Sequence, residues 1–321
     1  MDKPPARHAL IALLVVTIIW GWTFSWIKQA IDSSVVVLGP GALTLVAGLF
    51  MTVRFGLSAI VMPWVVPKVR PHLRSAAAWR DGGIIGGILL GGFLLQMFGL
   101  KDIDPAVSAF LTSLYVAFTA IMSGAMERKW PSWSLVVGVL VVTTGAATIS
   151  GPPQLTFDTA EWLTVLCAVL FAAHIVATDR VTQRTAPLGV AWTSFVWVAL
   201  GSSVLLLVGK AQRPDIAWSQ ALELLQTPAF LVPTLLAAFL GTLLALTLLT
   251  YYQKVLSPVR AAILYALEPV WAAIISVAVG LTDIGGWLLF GGSALLMGNL
   301  FVEIWPRLAK NRSKQAQPTG P

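Results

Sequence analysis

The chain has 321 residues, of which 57% are apolar and 11% charged, with a mean hydropathy of +0.82 and a formal net charge of +7. Soluble domains sit near about 45–50% apolar and about 25% charged, so a soluble enzyme or a nucleic-acid-binding domain is excluded despite the basic balance. Cys167, the one cysteine, lies in an apolar run and excludes an intramolecular disulfide or a thiolate metal cluster.

A helix that crosses about 30 Å of hydrocarbon needs on the order of 20 apolar residues. Ten such stretches follow one another, near 9–29, 38–62, 82–100, 106–126, 133–150, 161–178, 188–208, 229–252, 260–281 and 285–305. The runs are continuous and do not alternate with a period of two, which excludes a β-barrel and predicts an all-α membrane bundle. Lys3 and Arg7 followed by an apolar stretch mimic a signal peptide. The run continues through Trp20, Trp22, Phe24 and Trp26 without a small-residue cleavage site, so the first span is expected to stay in the mature protein. The longest connection, 209–228, has room for at most one interfacial helix.

The cations are unevenly shared between the two sides of a ten-span chain. Sixteen lysines and arginines fall on the side of both termini and three (Lys101, Lys210, Arg213) on the other, which places both termini in the cytoplasm. The basic segment 307–321 is expected to be a disordered cytoplasmic anchor.

The two halves partly repeat. Laid without gaps on residues 254–298, residues 101–145 match at twelve positions, among them Lys101/Lys254, Pro105/Pro258, Gly138/Gly291 and Gly145/Gly298. Two units follow, 1–155 and 156–306. Because each crosses the membrane five times, they lie upside down relative to one another around a central cavity, as in secondary transporters.

An ionisable side chain inside a bilayer costs about 2.5–3.5 kcal/mol on insertion scales and marks a functional candidate. Glu268, in Tyr265-Ala266-Leu267-Glu268-Pro269-Val270-Trp271, is the foremost. Pro269 removes an amide hydrogen bond and frees carbonyls beside the carboxylate, which can then hold a proton, a cation or an ammonium group. Helical spacing puts Tyr265, Glu268 and Ala272 on one face with Trp271 at its margin, a cavity wall with an aromatic shelf. The competing reading is a structural ion pair from Glu268 to Arg54 or Lys28.

Arg54 is either a ligand for a substrate anion or a structural partner. Lys28 is expected to snorkel at the outer interface. His174 is either a proton relay or a helix-to-helix hydrogen bond. Gln96, Tyr115, Tyr251, Tyr252 and Asn299 are further polar groups in apolar spans. There is no phosphate-binding loop, no His/Glu pair at metal spacing and no Gly-x-Ser-x-Gly elbow, so no metal, cofactor or catalytic residue is expected.

Taken in order, Trp20-Gly21-Trp22-Thr23-Phe24 with Lys28, Arg54-Phe55, Leu95-Gln96, Gly99-Leu100, the run Ala109 to Val116, and Leu267-Glu268-Pro269-Val270-Trp271-Ala272-Ala273 resemble the EamA-type family of the drug/metabolite transporter superfamily. The resemblance covers about 8–305. The chain departs from the pattern in span 4, where Phe118-Thr119-Ala120 replaces a frequent proline. It departs again after span 9, which reads Val279-Gly280-Leu281-Thr282-Asp283 where Gly-Glu-Arg is common. The resemblance implies ten helices in two inverted five-helix repeats and the transport of amino acids, drugs or other small metabolites.

The leading functional expectation is a bacterial inner-membrane carrier that exports amino acids or related amphiphilic or cationic solutes by alternating access. Trp20, Phe24, Tyr115, Phe118, Tyr252, Tyr265 and Trp271 would supply aromatic walls, and Glu268 would attract an ammonium group or take a coupling proton. An uncoupled facilitator or exchanger on the same scaffold stays open as an alternative. A membrane-embedded enzyme or lipid-binding scaffold is the remote one.

Overall fold

The computed structural model describes residues 6–126, 128, 133–148, 152, 157–252, 265 and 267–315. Lys3, Lys254 and Pro258, used above for the charge bias and the repeat, lie outside the described residues, as does the end of the basic tail. All regular structure among the described residues is helical.

Helices α1 (Ala6–Leu38), α2 (Leu43–Val65) and α3 (Ala76–Leu100) form the first three predicted spans. The turn between α1 and α2 uses Gly39 and Gly41 at φ 72° and 83°, a left-handed backbone that glycine adopts without a side-chain clash. Ser75 starts α3 by accepting from the Ala78 amide at 3.3 Å. The fourth span is broken into α4 (Pro105–Thr112) and α5 (Tyr115–Met126), and α6 (Trp133–Thr148) follows.

The second half opens with a reciprocal cap. Asp158 accepts from the Glu161 amide at 2.9 Å while the Glu161 carboxylate accepts from the Asp158 amide at 3.1 Å, which satisfies two of the free donors at the start of α7 (Thr159–Arg184). Next come α8 (Pro187–Gln212), the short α9 (Trp218–Glu223) in the long connection, and α10 (Pro228–Leu236). A π-helical stretch, Ala237–Leu244, joins α10 to α11 (Ala245–Tyr252). The chain ends in α12 (Glu268–Ala278) and α13 (Gly286–Gln315). The last helix continues past residue 306, where the tail was expected to begin, since its Leu, Ala, Lys, Arg and Gln are good helix formers.

Among the described residues, seven helices are long and apolar enough to cross a membrane: His8–Leu38, Leu43–Val65, Ala76–Leu100, Pro105–Met126, Thr159–Arg184, Pro187–Gln212 and Pro228–Tyr252. Three shorter apolar helices, Trp133–Thr148, Glu268–Ala278 and Gly286–Val302, coincide with the other predicted spans. Their outer faces are apolar as well: Trp64 is 75% exposed, Leu140 62% and Met297 67%. So much exposed apolar surface suits lipid and not water. The chain is a multi-pass membrane protein.

Packing follows an approximate twofold pattern. Counting predicted spans, α1 corresponds to α7, α2 to α8, α3 to Pro228–Tyr252, Pro105–Met126 to α12, and α6 to α13. The contacts obey this exchange: α2 packs on α8 and α6 on α13; α3 packs on α7 as α10 and α11 pack on α1; α1 meets α12 as α7 meets α4 and α5. Both self-paired contacts are antiparallel. A side chain at Gly138 would lie 3.2 Å from the Gly298 carbonyl, and one at Gly145 would lie 2.7 Å from the Gly291 carbonyl. Gly48 lies against Leu206 in the same manner as Gly209 lies against Leu45. Small residues allow these backbones to approach closely where no hydrophobic force drives helix association.

Candidate functional site

A cavity with about 550 Å³ of space free of protein atoms, its open side included, lies between the halves. Its wall is built from Trp20 and Thr23 of α1, from Leu89, Phe93 and Gln96 of α3, and from Tyr115 at the start of α5. The second half adds Phe171, His174 and Ile175 of α7, Leu246 and Leu249 of α11, Tyr265, and Glu268 at the start of α12. These elements are three exchangeable pairs of spans, so each half supplies half of the wall.

Both halves break a helix at the cavity, and they break it at the same place. The ungapped register that aligns Leu114 with Leu267 aligns Tyr115 with Glu268, and these residues begin α5 and α12. In the second half the break is written in the sequence: Pro269 occupies the first turn of α12, where its missing N–H is not required. In the first half no proline marks it. Ser113 and Leu114 form a tightened turn, with the Leu114 amide on the Leu111 carbonyl at 3.2 Å. Asn299 of α13 donates to the Ser113 carbonyl and hydroxyl, each at 3.1 Å, and so holds the turn from the other half.

Tyr115 and Glu268 meet. The Tyr115 hydroxyl lies 3.0 Å from Glu268 Oε2 and 3.3 Å from the Tyr265 carbonyl. Glu268, 6% exposed, sits on the first turn of its helix, whose free amides and dipole favour a negative group there. The competing ion pair with Lys28 or Arg54 does not occur among the described residues. Lys28 donates to the Leu100 and Lys101 carbonyls at 3.2 and 2.7 Å, a cation closing the C-terminal end of α3.

Five aromatic rings (Trp20, Phe93, Tyr115, Phe171 and Tyr265) face the space. Phe93 and Phe171 are in edge contact, with centroids 5.3 Å apart. The Trp20 ring is held by Nε1 donating to the Gly241 carbonyl at 3.2 Å. Two polar atoms of the wall, Gln96 Oε1 and the Tyr265 hydroxyl, have no hydrogen-bond partner among the described residues. The wall thus offers a carboxylate, an amide and a phenol inside an aromatic cage, a set that accepts hydrogen bonds and attracts positive charge.

Of the residues singled out in the sequence, Glu268, Tyr265, Trp20, Gln96, Tyr115 and His174 line the cavity. The others are placed elsewhere. Phe24 is packed with Ala109 and Ala272 at the junction of α1, α4 and α12. Phe118 and Tyr252 flank the second apolar core, Tyr252 edge-on to Tyr251. Trp271 backs onto Gly21 of α1: a side chain at Gly21 would lie 2.7 Å from Trp271 Cβ. The sequence reading missed Thr23, Phe93 and Phe171, which carry no signal apart from being apolar or small.

Arg54 lies on α2, fully buried and outside the wall. Its Nε donates to Thr242 Oγ1 at 2.7 Å, and its guanidinium carbon lies 4.4 Å from the Phe93 ring centre and 5.3 Å from that of Phe55. Nη1 and Nη2 have no hydrogen-bond partner among the described residues. Cation–π contacts contribute about 0.5–2 kcal/mol, less than the several kcal/mol needed to take an ion out of water. The described side chains therefore leave this charge under-compensated.

A second charged group escaped the sequence reading. Asp81 of α3 is buried and receives Arg184 Nη2 at 2.7 Å, Arg184 Nε at 3.0 Å, Thr185 Oγ1 at 2.6 Å and Arg80 Nε at 3.0 Å. This cluster ties the first turns of α3 to the end of α7.

Comparison with known proteins agrees with this architecture. The chain matches the EamA-like transporter family twice, over residues 7–151 and 158–304. A protein of Archaeoglobus fulgidus described as an uncharacterized transporter is 28% identical over 300 residues, which is 92% of this chain and 86% of its own. A solved crystal structure shares the fold with a TM-score of 0.60 at 16% identity, over 92% of this chain and 98% of its own. Two family matches that together span nearly the whole length leave one assignment: the chain is a membrane transporter of the EamA-like transporter family.

Proposed function

We infer that this transporter is a secondary carrier of the bacterial inner membrane that moves small organic solutes bearing a protonated amine, most simply by exporting amino acids or related amphiphilic or cationic compounds. Ten helices cross the bilayer as two inverted five-helix units, 1–155 and 156–306, and both termini and the basic segment 307–321 face the cytoplasm. The antiparallel seams of α6 with α13 and α2 with α8 support the inversion, and the sixteen-to-three split of cations supports the orientation.

The observation that carries this reading is the Glu268 carboxylate, held by Tyr115 at 3.0 Å, in a wall of five aromatic rings. A protonated amine would dock between this carboxylate and the ring faces, with Gln96 and the Tyr265 hydroxyl as further acceptors. Rocking of the two halves about the shared cavity would expose it to either side in turn. A proton on Glu268 would compete with the amine for the same oxygens and so couple the two fluxes.

The test is uptake of labelled amino acids and cationic dyes into liposomes containing the purified protein, with and without an imposed pH gradient. Accumulation driven by the gradient is expected. Equilibration without accumulation would replace the coupled carrier by a facilitator or exchanger, and product formation without vectorial movement would replace transport by catalysis.

A further inference from the structure

Arg54 bears a charge that its surroundings do not answer. A guanidinium is charged at neutral pH and offers five donors in a rigid fork. Here one is spent on Thr242, while Nη1 and Nη2, both fully enclosed, have no acceptor among the described residues. No ion pair to Arg54 occurs among the described residues. The Phe93 and Phe55 rings cover the cation without supplying an anion.

Two small residues, Gly241 and Thr23, lie between Arg54 and the central cavity. Gly241 lies in the π-helical stretch Ala237–Leu244, a widened turn of the kind found at functional sites. A side chain on Gly241 would begin 3.4 Å from Arg54 Nη2 and 2.8 Å from Thr23 Cγ2. Thr23 lines the central cavity, and so does Trp20, whose ring nitrogen is bonded to the Gly241 carbonyl. Gly241 thus adjoins both the guanidinium and Thr23 of the cavity wall, with no side chain of its own between them.

We propose that Arg54 is an anion site: a small singly charged anion, a carboxylate or a halide, enters from the central cavity past Thr23 and Gly241 and is held by Nη1 and Nη2. A carboxylate suits the parallel N–H groups of the fork as a bidentate partner. It could belong to the transported solute or to a free anion, and a halide could only be free. The site goes beyond the proposed transport activity and stands without it.

The experiment is thermal unfolding of the purified full-length protein in a gluconate background, titrated with sodium formate or sodium chloride at constant ionic strength. The expected result is a midpoint that rises by a few degrees and saturates, because a ligand that binds only the folded state stabilises it. Arg54→Gln should abolish the rise. Gly241→Ala, which keeps the guanidinium and places a methyl group 3.4 Å from Nη2, should weaken it and decides the matter if Arg54→Gln does not fold. A rise with formate alone identifies a carboxylate ligand, and an equal rise with chloride identifies a free inorganic anion. No saturable rise with either salt, or an undiminished one in either variant, overturns the proposal. A saturable rise in protein that moves none of the amino acids or dyes in liposomes would overturn the amine-carrier reading and leave the anion site standing.

Discussion

The Tyr115 hydroxyl lies 3.0 Å from Glu268 Oε2, and the two residues, 153 apart in the chain, occupy the same position of the two repeated units. Each begins a helix at a break in its span, so the hydrogen bond joins the halves at the centre of their approximate twofold relation. The duplicated position has diverged into a donor in one copy and an acceptor in the other. Under the proposed alternating access, a group that bridges the two halves and lines the cavity between them would respond both to the solute and to the state of the carrier.

Glu268→Gln keeps the shape and an acceptor for Tyr115 but removes the charge and the proton site. Transport is expected to be lost or to become independent of the pH gradient, with an unchanged elution profile in detergent. Flux measured in liposomes decides this, and wild-type, pH-dependent rates in the variant would remove Glu268 from the mechanism.

Tyr115→Phe deletes the hydroxyl and leaves the ring. A hydrogen bond to a charged group contributes about 1.5–3 kcal/mol, so if the bond is made in only one state of the cycle, the transport rate should fall by about tenfold or more. Competition binding of a cationic solute, measured beside the flux, separates a lost contact from a lost conformational step. Equal flux in Tyr115→Phe and the parent would show that the bridge is not used.

Gly21→Val tests the seam between α1 and α12. Its Cβ would lie 2.7 Å from Trp271 Cβ and 2.9 Å from the Ala272 amide nitrogen, closer than side chains approach, and α12 cannot yield without moving Glu268. Overpacking of this kind costs about 1–3 kcal/mol. Thermal unfolding should show the loss, and unchanged stability together with unchanged transport would mean that the two helices do not meet there.

Asp81→Asn weakens the tie between α3 and α7. The carboxylate is buried but Arg184 is 57% exposed, so solvent screens part of the attraction and the expected loss is about 1–2 kcal/mol. The double variant with Arg184→Gln should cost little more than Asp81→Asn alone, a non-additivity that thermal unfolding can resolve. Full additivity would show that the two side chains act independently.

Glu268 was legible in the sequence because a carboxylate in an apolar run is expensive enough to stand out, and Pro269 announced the break beside it. The matching break at Ser113 and Leu114 was not legible. No proline marks it, and the side chain that holds it, Asn299, comes from a helix 186 residues away. The fate of Arg54 was equally hidden, since its placement behind Phe93 depends on how α2 is rotated against the Ala237–Leu244 stretch.

The sequence by itself determined a helical membrane protein, the position of its apolar helices and a duplicated plan, because a bilayer lets a backbone cross only with its hydrogen bonds closed within each segment. It also set the residue types available to a site. Tertiary structure decided which of them face the cavity. A span that is apolar on all sides has no periodic face to read, and each residue turns the wall by about 100° around the helix. That rotation places Trp20, Gln96 and Tyr115 on the cavity, and Phe24, Tyr252 and Trp271 against their neighbours.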